Sequence, residues 1–214
     1  MSSARSETLT GTLETAFPEY TSPPAEPMGL LSAWLDEAER LQVREPRALA
    51  LATADDRGRP SSRIVVLSRV TAEGLLFVTH RDSRKGRELA ANPWASGLLY
   101  WRESSRQISL AGPVESLPDT EADALWAARA VFTHAMTAAS RQSEPLDGPD
   151  AVAELRDRAT LLAAEGPLPR PASFTAYLLR PGHVEFWANG TDRLHERLVY
   201  ERAADGWSVA RLQP

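Results

Sequence analysis

The fold is read most directly from residues 187–200, WANGTDRLHERLVY. An apolar run leads into the pair Asn189-Gly190, and Asn-Gly between apolar runs is a strong hairpin signal because both residues tolerate positive φ. We therefore predict that the chain turns here and returns as a second strand. Side chains alternate between the faces of a strand, so this prediction places Arg193, His195 and Arg197 on one face.

This row of two guanidinium groups and one imidazole has two interpretations. Such side chains are a poor way to build a core, but they suit a pocket that holds a flat, electron-rich or anionic ligand. The alternative is a solvated strand face on which the pattern arose by chance. The rest of the chain bears on the choice.

The bulk composition excludes several classes of protein. The chain has 214 residues, 43% hydrophobic and 25% charged, with a net charge of −5 and no cysteine. Disulfides and thiol chemistry are therefore excluded, and a general nucleic-acid binder is disfavoured. The four histidines form no metal-ligand pair, so we expect no metal site. No stretch has transmembrane length and no signal segment is visible, so we expect a cytoplasmic protein without a membrane partner.

The chain is expected to form one domain after an arm. Residues 1–26 are rich in Ser, Thr, Glu and Pro and show little periodicity, so we predict a flexible N-terminal arm. Residues 27–214 form the predicted domain. Pro27 can occupy the first position of a helix, and the apolar residues that follow it have helical spacing.

After this helix the hydrophobic pattern alternates as it does in strands. Strands are predicted at 48–53, 62–67, 75–79, 95–101, 107–117, 174–179, 183–187, 194–200 and 207–212, and helices at 84–91, 119–130 and 150–164. The segment 132–149 is expected to be irregular. Short strands joined by turns, with few helices between them, favour a mainly β fold, an antiparallel barrel with peripheral helices, over a doubly wound parallel sheet.

The run Ser83-Arg84-Lys85-Gly86 is the second informative stretch. Ser83 is a good N-cap for the helix predicted at 84–91, whose N-terminus offers free N–H groups and the positive end of its dipole. Arg84 and Lys85 add full charges, and the combination suits a phosphate monoester. A surface helix that happens to begin with basic residues is the alternative.

Three further polar residues have open roles. Arg63 stands in an apolar strand, where it could pair with a carboxylate or bind a phosphate oxygen. Gln107 could face the polar edge of a heterocycle, and Arg129 could be an exposed helical residue or a ligand. No nucleophile elbow, P-loop or dinucleotide fingerprint is present, which leaves a hydrolase or kinase without a motif.

From about residue 26 to its end the chain resembles the pyridoxamine 5′-phosphate oxidase family of flavin enzymes. The resemblance rests on the joint occurrence of short motifs: Arg63-Ile64-Val65-Val66-Leu67, Ser83-Arg84-Lys85, Arg106-Gln107, Arg141-Gln142-Ser143, Glu185-Phe186-Trp187, Arg193-Leu194-His195-Glu196-Arg197 and Arg211-Leu212-Gln213-Pro214. It implies an FMN-binding split β-barrel and a homodimer, with FMN bound in clefts at the subunit interface.

The resemblance also assigns roles to residues. Those implied to bind FMN are Arg63, Ile64, Val65, Val66, Leu67, Ser68, Val78, Thr79, Arg84, Lys85, Gln107, Gln142, Ser143, Trp187 and Arg197. Those implied to bind substrate are Arg129, Thr133, Arg193 and His195. His195 and Arg193 are the catalytic candidates, with His195 orienting the substrate or taking a proton.

The substrate positions depart from the vitamin-B6 enzymes of the family. There a Lys, a Tyr, an Arg and a Ser grip the substrate phosphate, whereas this chain has Ser68, Leu125, Arg129 and Thr133. The loss of an ammonium and a phenol should cost several kcal/mol of phosphate binding, since charge-assisted hydrogen bonds contribute roughly 1.5–3 kcal/mol each. The pocket remains cationic but is more open to an apolar body.

One branch of the family, the FMN-dependent oxidases of phenazine biosynthesis, shows this combination. The resemblance therefore implies an oxidase that aromatises reduced phenazine carboxylic acids, with O₂ as acceptor and H₂O₂ as product. The first alternative is a pyridoxine/pyridoxamine 5′-phosphate oxidase. The second is a non-catalytic flavin- or haem-binding split barrel, although a binder would not need the Arg-x-His-x-Arg row.

Overall fold

The computed structural model describes residues 11–190 and 194–214, and its strands occupy most of the predicted positions. They are β1 (Ala48–Ala54), β2 (Pro60–Val70), β3 (Leu75–His80), β4 (Trp94–Trp101), β5 (Arg106–Ser116), β6 (Phe174–Leu179), β7 (His183–Ala188), β8 (Glu196–Ala203) and β9 (Gly206–Arg211). The helices are α1 (Pro27–Arg40), α2 (Arg84–Ala91), α3 (Asp119–Ala127), α4 (His134–Ala139) and α5 (Gly148–Ala164). Two short 3₁₀ turns span Pro18–Tyr20 and Val131–Thr133.

Six of these strands close into an antiparallel barrel. The order is β1-β2-β3-β6-β5-β4, and the barrel closes because β4 pairs with both β1 and β5. Residues 114–116 of β5 pair with β6, while residues 106–111 pair with β7. Strands β7, β8 and β9 then continue the sheet beyond the barrel. The predicted antiparallel barrel with peripheral helices is confirmed.

Alternation along the strands builds the core. In β1, for example, Leu49 and Leu51 are fully buried while the alternating Ala48, Ala50 and Ala52 are half-buried. Helix α1 adds its apolar face to the same core through Leu31, Trp34 and Leu35. A second, smaller apolar cluster joins α3 and α4 to β6, with members Ala122, Trp126, Ala135, Leu168, Phe174 and Ala176.

The face of the sheet that points away from the barrel core runs across six strands. One row in register is Ile64, Ala50, Leu98, Ser109, Glu185 and Val199. A parallel row is Tyr100, Gln107, Trp187 and Arg197. Partners in an antiparallel register project to the same side, so both rows lie on one face, here called the outer face. The side chains of Ile64 and Val66 on this face are 62% and 67% exposed.

Residues 11–26 lie against the barrel. Phe17 is buried against Trp34, and Arg211 donates to the carbonyl oxygens of Tyr20 and Thr21. The first ten residues fall outside the described part of the chain, so the flexible arm of residues 1–26 stays a prediction.

One local prediction differs from the structure, because the segment 132–149, expected to be irregular, contains α4. The return strand predicted after Asn189-Gly190 is present, since Ala188 of β7 pairs with Glu196 of β8 in an antiparallel register. The form of the turn depends on residues 191–193, which lie outside the described residues. Asn189 donates its N–H to the carbonyl oxygen of Ser105 in the β4–β5 connection.

Candidate functional site

The main cavity lies between β2, β3, the start of α2 and the segment 129–143. It has a volume of about 780 Å³. Its lining comprises Ser61, Ser62, Arg63, Ile64, Val65, Val66, Leu67, Ser68, Val78, Thr79, Arg84, Lys85, Arg129, Ala130, Thr133, Gln142 and Ser143. The lining includes every residue that the family resemblance implied for FMN binding except Gln107, Trp187 and Arg197. It also includes two of the implied substrate residues, Arg129 and Thr133.

Strand β2 forms one wall because it is irregular where it meets β3. Leu67 pairs with Phe77 and Arg69 with Leu76, so one additional residue, Ser68, is accommodated on β2. Such a bulge bends the strand and redirects a side chain, and bulges are common beside active sites. The wall therefore combines the exposed apolar side chain of Ile64 with polar groups near the bulge.

The start of α2 forms the opposite wall. The Ser83 hydroxyl accepts the N–H of Gly86 at 3.2 Å, which makes Ser83 the predicted N-cap. Glycine is required at position 86 because a Cβ there would lie 2.3 Å from the carbonyl oxygen of Arg81. The start of α2 thus packs closely against the end of β3, and the positive end of the helix dipole lies beside the cavity.

Lys85 is a buried ammonium group that faces this cavity. Its Nζ donates to Thr79 Oγ1 at 3.0 Å and to Gln142 Oε1 at 2.8 Å. Burial, together with the nearby charge of Arg63, lowers the pKa of Lys85 to about 8, although Glu88 acts in the opposite direction. A bound dianion would favour the charged form, so this lysine is suited to respond to a phosphate.

The segment after α4 contributes Gln142 and Ser143. The backbone N–H of Arg84 donates to Ser143 Oγ at 3.0 Å. Ser143 has φ +76°, a left-handed conformation that is uncommon for a residue with a side chain. This conformation directs the hydroxyl at the start of α2, and residues distant in sequence therefore meet at one end of the cavity.

Arg129 is a further cation that lines the cavity. Its Nε donates to Thr133 Oγ1 at 3.1 Å, and its guanidinium carbon lies 5.4 Å from the centre of the Phe174 ring. Burial lowers the pKa of Arg129 from its ordinary value. Within the described residues no carboxylate forms a salt bridge with Arg129, which leaves its charge available to an anionic ligand.

The remaining predicted residues lie apart from the cavity, at the β5–β7–β8 end of the outer face. Arg197 Nε donates to Glu185 Oε1 at 2.6 Å, and the ring of His195 lies 4.7 Å from that of Trp187. Among the described residues, the buried Nδ1 of His195 has no hydrogen-bond partner. Arg193 lies outside the described residues, so its shared face with His195 stays a prediction.

Sequence reasoning missed one functional candidate, Glu88, and left the partner of Arg63 open. Glu88 is buried on α2 and pairs with Arg63 at 3.1 Å and with Arg84 at 2.9 Å. The sequence signal was the spacing of Arg84 and Glu88, four residues apart on a helix. In contrast His134, in the segment expected to be irregular, stacks on Trp126 and accepts the N–H of Leu168, so it belongs to the core.

The cavity therefore brings together two sets of anion-binding residues, here called its two ends. One end has Arg63, Arg84, Lys85 and a helix N-terminus, which together suit a phosphate monoester. The other end has Arg129 and Thr133, and apolar residues of β2 line the same cavity. Within the described ranges every helix is too short or too polar to span a bilayer.

Comparison with known proteins places these features in context. Residues 35–162 match a family described as pyridoxamine 5′-phosphate oxidase, and residues 174–214 match a region described as the pyridoxine 5′-phosphate oxidase C-terminal dimerisation region.

Two similar proteins carry the name dihydrophenazinedicarboxylate synthase. That from Pseudomonas chlororaphis is 56% identical over 98% of this chain and 93% of its own, and that from Burkholderia lata is 50% identical over the whole of both. A pyridoxine/pyridoxamine 5′-phosphate oxidase from Gluconobacter oxydans is 41% identical over 89% of this chain and 95% of its own.

The fold matches a solved structure closely. The crystal structure of PhzG from Burkholderia lata 383 in complex with tetrahydrophenazine-1-carboxylic acid superposes with a TM-score of 0.90 at 49% identity. The match covers 95% of this chain and 100% of that chain.

Proposed function

The chain belongs to the pyridoxamine 5′-phosphate oxidase family, and we propose that it is an FMN-dependent oxidase of phenazine biosynthesis that aromatises reduced phenazine carboxylic acids. The two relatives at 50% and 56% identity are named for a phenazine activity. The observation that carries the proposal is the asymmetry of the cavity, which has a full set of phosphate-binding groups at one end and a reduced set at the other.

The cofactor end fits the phosphate of FMN. Arg63, Arg84 and Lys85 supply cationic donors, and the start of α2 supplies the positive end of a helix dipole. The volume of about 780 Å³ exceeds what a phosphate alone needs and leaves room for a ring system beside Ile64 and Val66. FMN, when bound, supplies a two-electron acceptor that O₂ reoxidises with formation of H₂O₂.

The substrate end is suited to a carboxylate on an apolar body. Arg129, held by Thr133, can form charge-assisted hydrogen bonds to one carboxylate. Ser68 and Leu125 stand where the vitamin-B6 enzymes place their Lys and Tyr, and Leu125 packs against the apolar cluster of α3. A site that keeps Arg129 and Thr133 but lacks the Lys and Tyr favours a flat apolar acid over a phosphate ester.

Completion of the site requires a second copy of the chain. Gln107, Trp187 and Arg197 lie on the same outer face as Ile64 but several strands away from the cavity. A homodimer that buries the outer face would bring this row of one subunit to the cavity of its partner. The exposed apolar side chains of Ile64 and Val66 and the match of residues 174–214 to a dimerisation region support this arrangement.

Within that arrangement the chain's own residues would bind the substrate, orient it and accept a proton from it. Arg129 and Arg193 would hold carboxylates, and Arg197 would place a cation near the polar end of the flavin ring, where negative charge develops. His195 would orient the substrate, or it would take the proton that leaves the substrate as the substrate ring becomes aromatic. Positioning contributes most if the reduced ring is already easily oxidised.

The test is anaerobic mixing of the FMN-loaded protein with a reduced phenazine carboxylate and, separately, with pyridoxine 5′-phosphate. We expect the absorbance of oxidised flavin to disappear with the phenazine alone. Rapid loss with pyridoxine 5′-phosphate would favour the first alternative, an oxidase of vitamin B6, because it would mean that Arg129, Thr133, Arg193 and His195 suffice as a phosphate clamp.

Two variants sharpen this test. The double change Ser68→Lys and Leu125→Tyr restores the groups of the vitamin-B6 enzymes and should increase turnover of pyridoxine 5′-phosphate. Arg193→Ala should weaken binding of the phenazine carboxylate while leaving FMN in place, and normal turnover at low substrate concentration would rule out that role. A protein that binds flavin but is reduced by neither donor would point to a non-catalytic binder.

A further inference from the structure

Glu88 is a buried carboxylate beneath the cationic end of the cavity. It lies on α2, one turn after Arg84, and is only 5% exposed. It does not line the cavity itself, so the proposed flavin contacts do not include it. A buried carboxylate next to a phosphate site is unexpected because two anions repel, and it therefore needs a physical explanation.

Every polar contact of Glu88 comes from a donor. Arg84 Nε donates to Oε1 at 2.9 Å, and Arg63 Nη2 donates to Oε2 at 3.1 Å. The Ser61 hydroxyl lies 2.9 and 2.7 Å from the two oxygens, and the Thr53 hydroxyl also donates to Oε2. These bonds lower the pKa of Glu88 to about 2 although burial raises it, so the group remains an anion at neutral pH.

The same network of hydrogen bonds holds the guanidinium group of Arg63 on the side that faces Glu88. Arg63 Nη1 donates to Thr53 Oγ1 at 2.5 Å, and Nη2 donates to Ser61 as well as to Glu88. The guanidinium group is thus anchored on the side of Glu88, and the whole Arg63 side chain is 20% exposed. Arg84 is anchored by one bond to Glu88, and its side chain is 61% exposed. Glu88 is the one carboxylate in the described structure that contacts both arginines.

We propose that Glu88 is a positioning residue of the cofactor site, which aligns Arg63 and Arg84 and balances their charge so that the cavity selects a phosphate monoester dianion. This inference rests on the proposed function, since FMN is the phosphate ester in question. Three cations and one carboxylate leave a net charge of +2 around the cofactor end, which matches the charge of the dianion.

Without the negative charge of Glu88, the mutual repulsion of Arg63, Arg84 and Lys85 would be larger. Arg63 disfavours the charged form of Lys85, and Glu88 favours it. Removal of the carboxylate would lower the pKa of Lys85 further, so that more of this ammonium would be neutral before the ligand arrives. Arg63, mostly buried, would also lose its ionic partner and could leave its aligned position.

The experiment is a titration of the full-length apoprotein with FMN and with riboflavin, which lacks the phosphate, followed by flavin fluorescence between pH 6.5 and 9. The test variant is Glu88→Gln, which keeps the shape and removes the charge. The control is Glu39→Gln, which removes an ion-paired carboxylate that is 38% exposed and bonded to Arg47. Circular dichroism and urea unfolding show whether each variant is folded.

We expect Glu88→Gln to weaken FMN binding roughly tenfold or more, and to leave riboflavin binding unchanged. The pH above which FMN affinity falls should move below about 8, the pKa of Lys85. Glu39→Gln should match the unaltered protein. FMN affinity and pH profile that are unchanged in Glu88→Gln, or equal losses for FMN and riboflavin, would overturn the inference.

Glu88→Asp provides a second route if the glutamine variant does not fold. It keeps the charge but withdraws the carboxylate by one methylene, so we expect weaker FMN binding with the pH profile retained. Full FMN affinity in Glu88→Asp would contradict the alignment role. Failure of the unaltered protein to bind FMN would overturn the proposed function itself, whereas normal FMN binding with an unresponsive Glu88 would overturn this inference alone.

Discussion

The two halves of the candidate site are built in different ways. The cofactor end is assembled within one chain, where hydrogen bonds to Glu88 hold Arg63 and Arg84 and a hydrogen bond to Gln142 holds Lys85. The β5–β7–β8 end of the outer face carries Gln107, Trp187 and Arg197 in one register row, and its Arg197 is held by a single carboxylate, Glu185. That row lies outside the cavity of its own chain.

The difference indicates which half is ready before a ligand or a second copy arrives. Cations that are already aligned lose little side-chain entropy when a phosphate binds, so the cofactor end is preorganised. At the other end, His195 beside Trp187 has a buried nitrogen, Nδ1, without a hydrogen-bond partner among the described residues. We therefore expect changes at the two ends to have separable effects.

The largest effect is expected at Arg63. Arg63→Met removes a charge from the cofactor end and leaves the buried Glu88 with one arginine fewer, so FMN affinity should fall roughly 100-fold, about 3 kcal/mol. Arg69→Met is the matched control on the same strand, since Arg69 is half-exposed and pairs with Glu121. Fluorescence titration with FMN measures both, and an equal loss in the two variants would contradict a dedicated cofactor end.

A smaller effect is expected at the substrate end of the cavity. Arg129→Met should weaken binding of the phenazine carboxylate roughly 10- to 100-fold, because one charge-assisted interaction of about 1.5–3 kcal/mol is lost. FMN affinity should remain within about twofold, since the side-chain hydrogen bonds of Arg129 in the described structure go to Thr133 and Thr137. Anaerobic titration of the FMN-loaded protein measures the substrate, and a parallel loss of FMN would show that the two ends are not independent.

At the row on the outer face, Arg197→Met should slow flavin reduction by substrate roughly tenfold by removing a cation near the flavin ring. Phosphate-dependent selection of FMN over riboflavin should be unchanged. Because Arg197→Met also leaves Glu185 unpaired, the double variant Arg197→Met/Glu185→Gln is the control. Recovery of the reduction rate in the double variant would mean that the unpaired carboxylate, and not the missing cation, caused the defect. Stopped-flow absorbance gives the rates.

The smallest effect is a pH dependence confined to the cofactor end. Lys85 has a pKa of about 8 in the free protein, and a bound phosphate raises that pKa by favouring the charged form. Below pH 8 the lysine is charged in both states and FMN affinity is constant. Above pH 8 binding must take up a proton, so affinity should fall a few-fold between pH 8 and 9. Riboflavin affinity should not fall over this pH range, and the fall in FMN affinity should be absent from a Lys85→Met variant.

Much of this site could be predicted from the sequence because its parts are local. The N-cap Ser83, the helix from Arg84 and the close approach required of Gly86 depend on neighbours within a few residues, and α2 has the predicted bounds. The strands were predicted for the same reason, since alternation of buried and exposed side chains is a property of each strand alone. The family resemblance then related the separate motifs to one cofactor.

The short helix α4 shows the limit of local reasoning. The sequence did not reveal it, because its short apolar face is stabilised by packing on Trp126, which lies outside its own segment. At the connection after β7 the sequence predicted the return strand, and Ala188 pairs with Glu196. Residues 191–193 of that connection lie outside the described residues.

The amino-acid order alone settled most of the strand and helix pattern, the absence of cysteine chemistry and the identity of the cationic residues, because each follows from side-chain type and short-range spacing. Tertiary structure decided that Arg63 pairs with Glu88, 25 residues away, and that Lys85 meets Gln142, 57 residues away. It also separated Gln107, Trp187 and Arg197 from the cavity. Such contacts form only when the barrel closes, since closure sets which distant segments become neighbours.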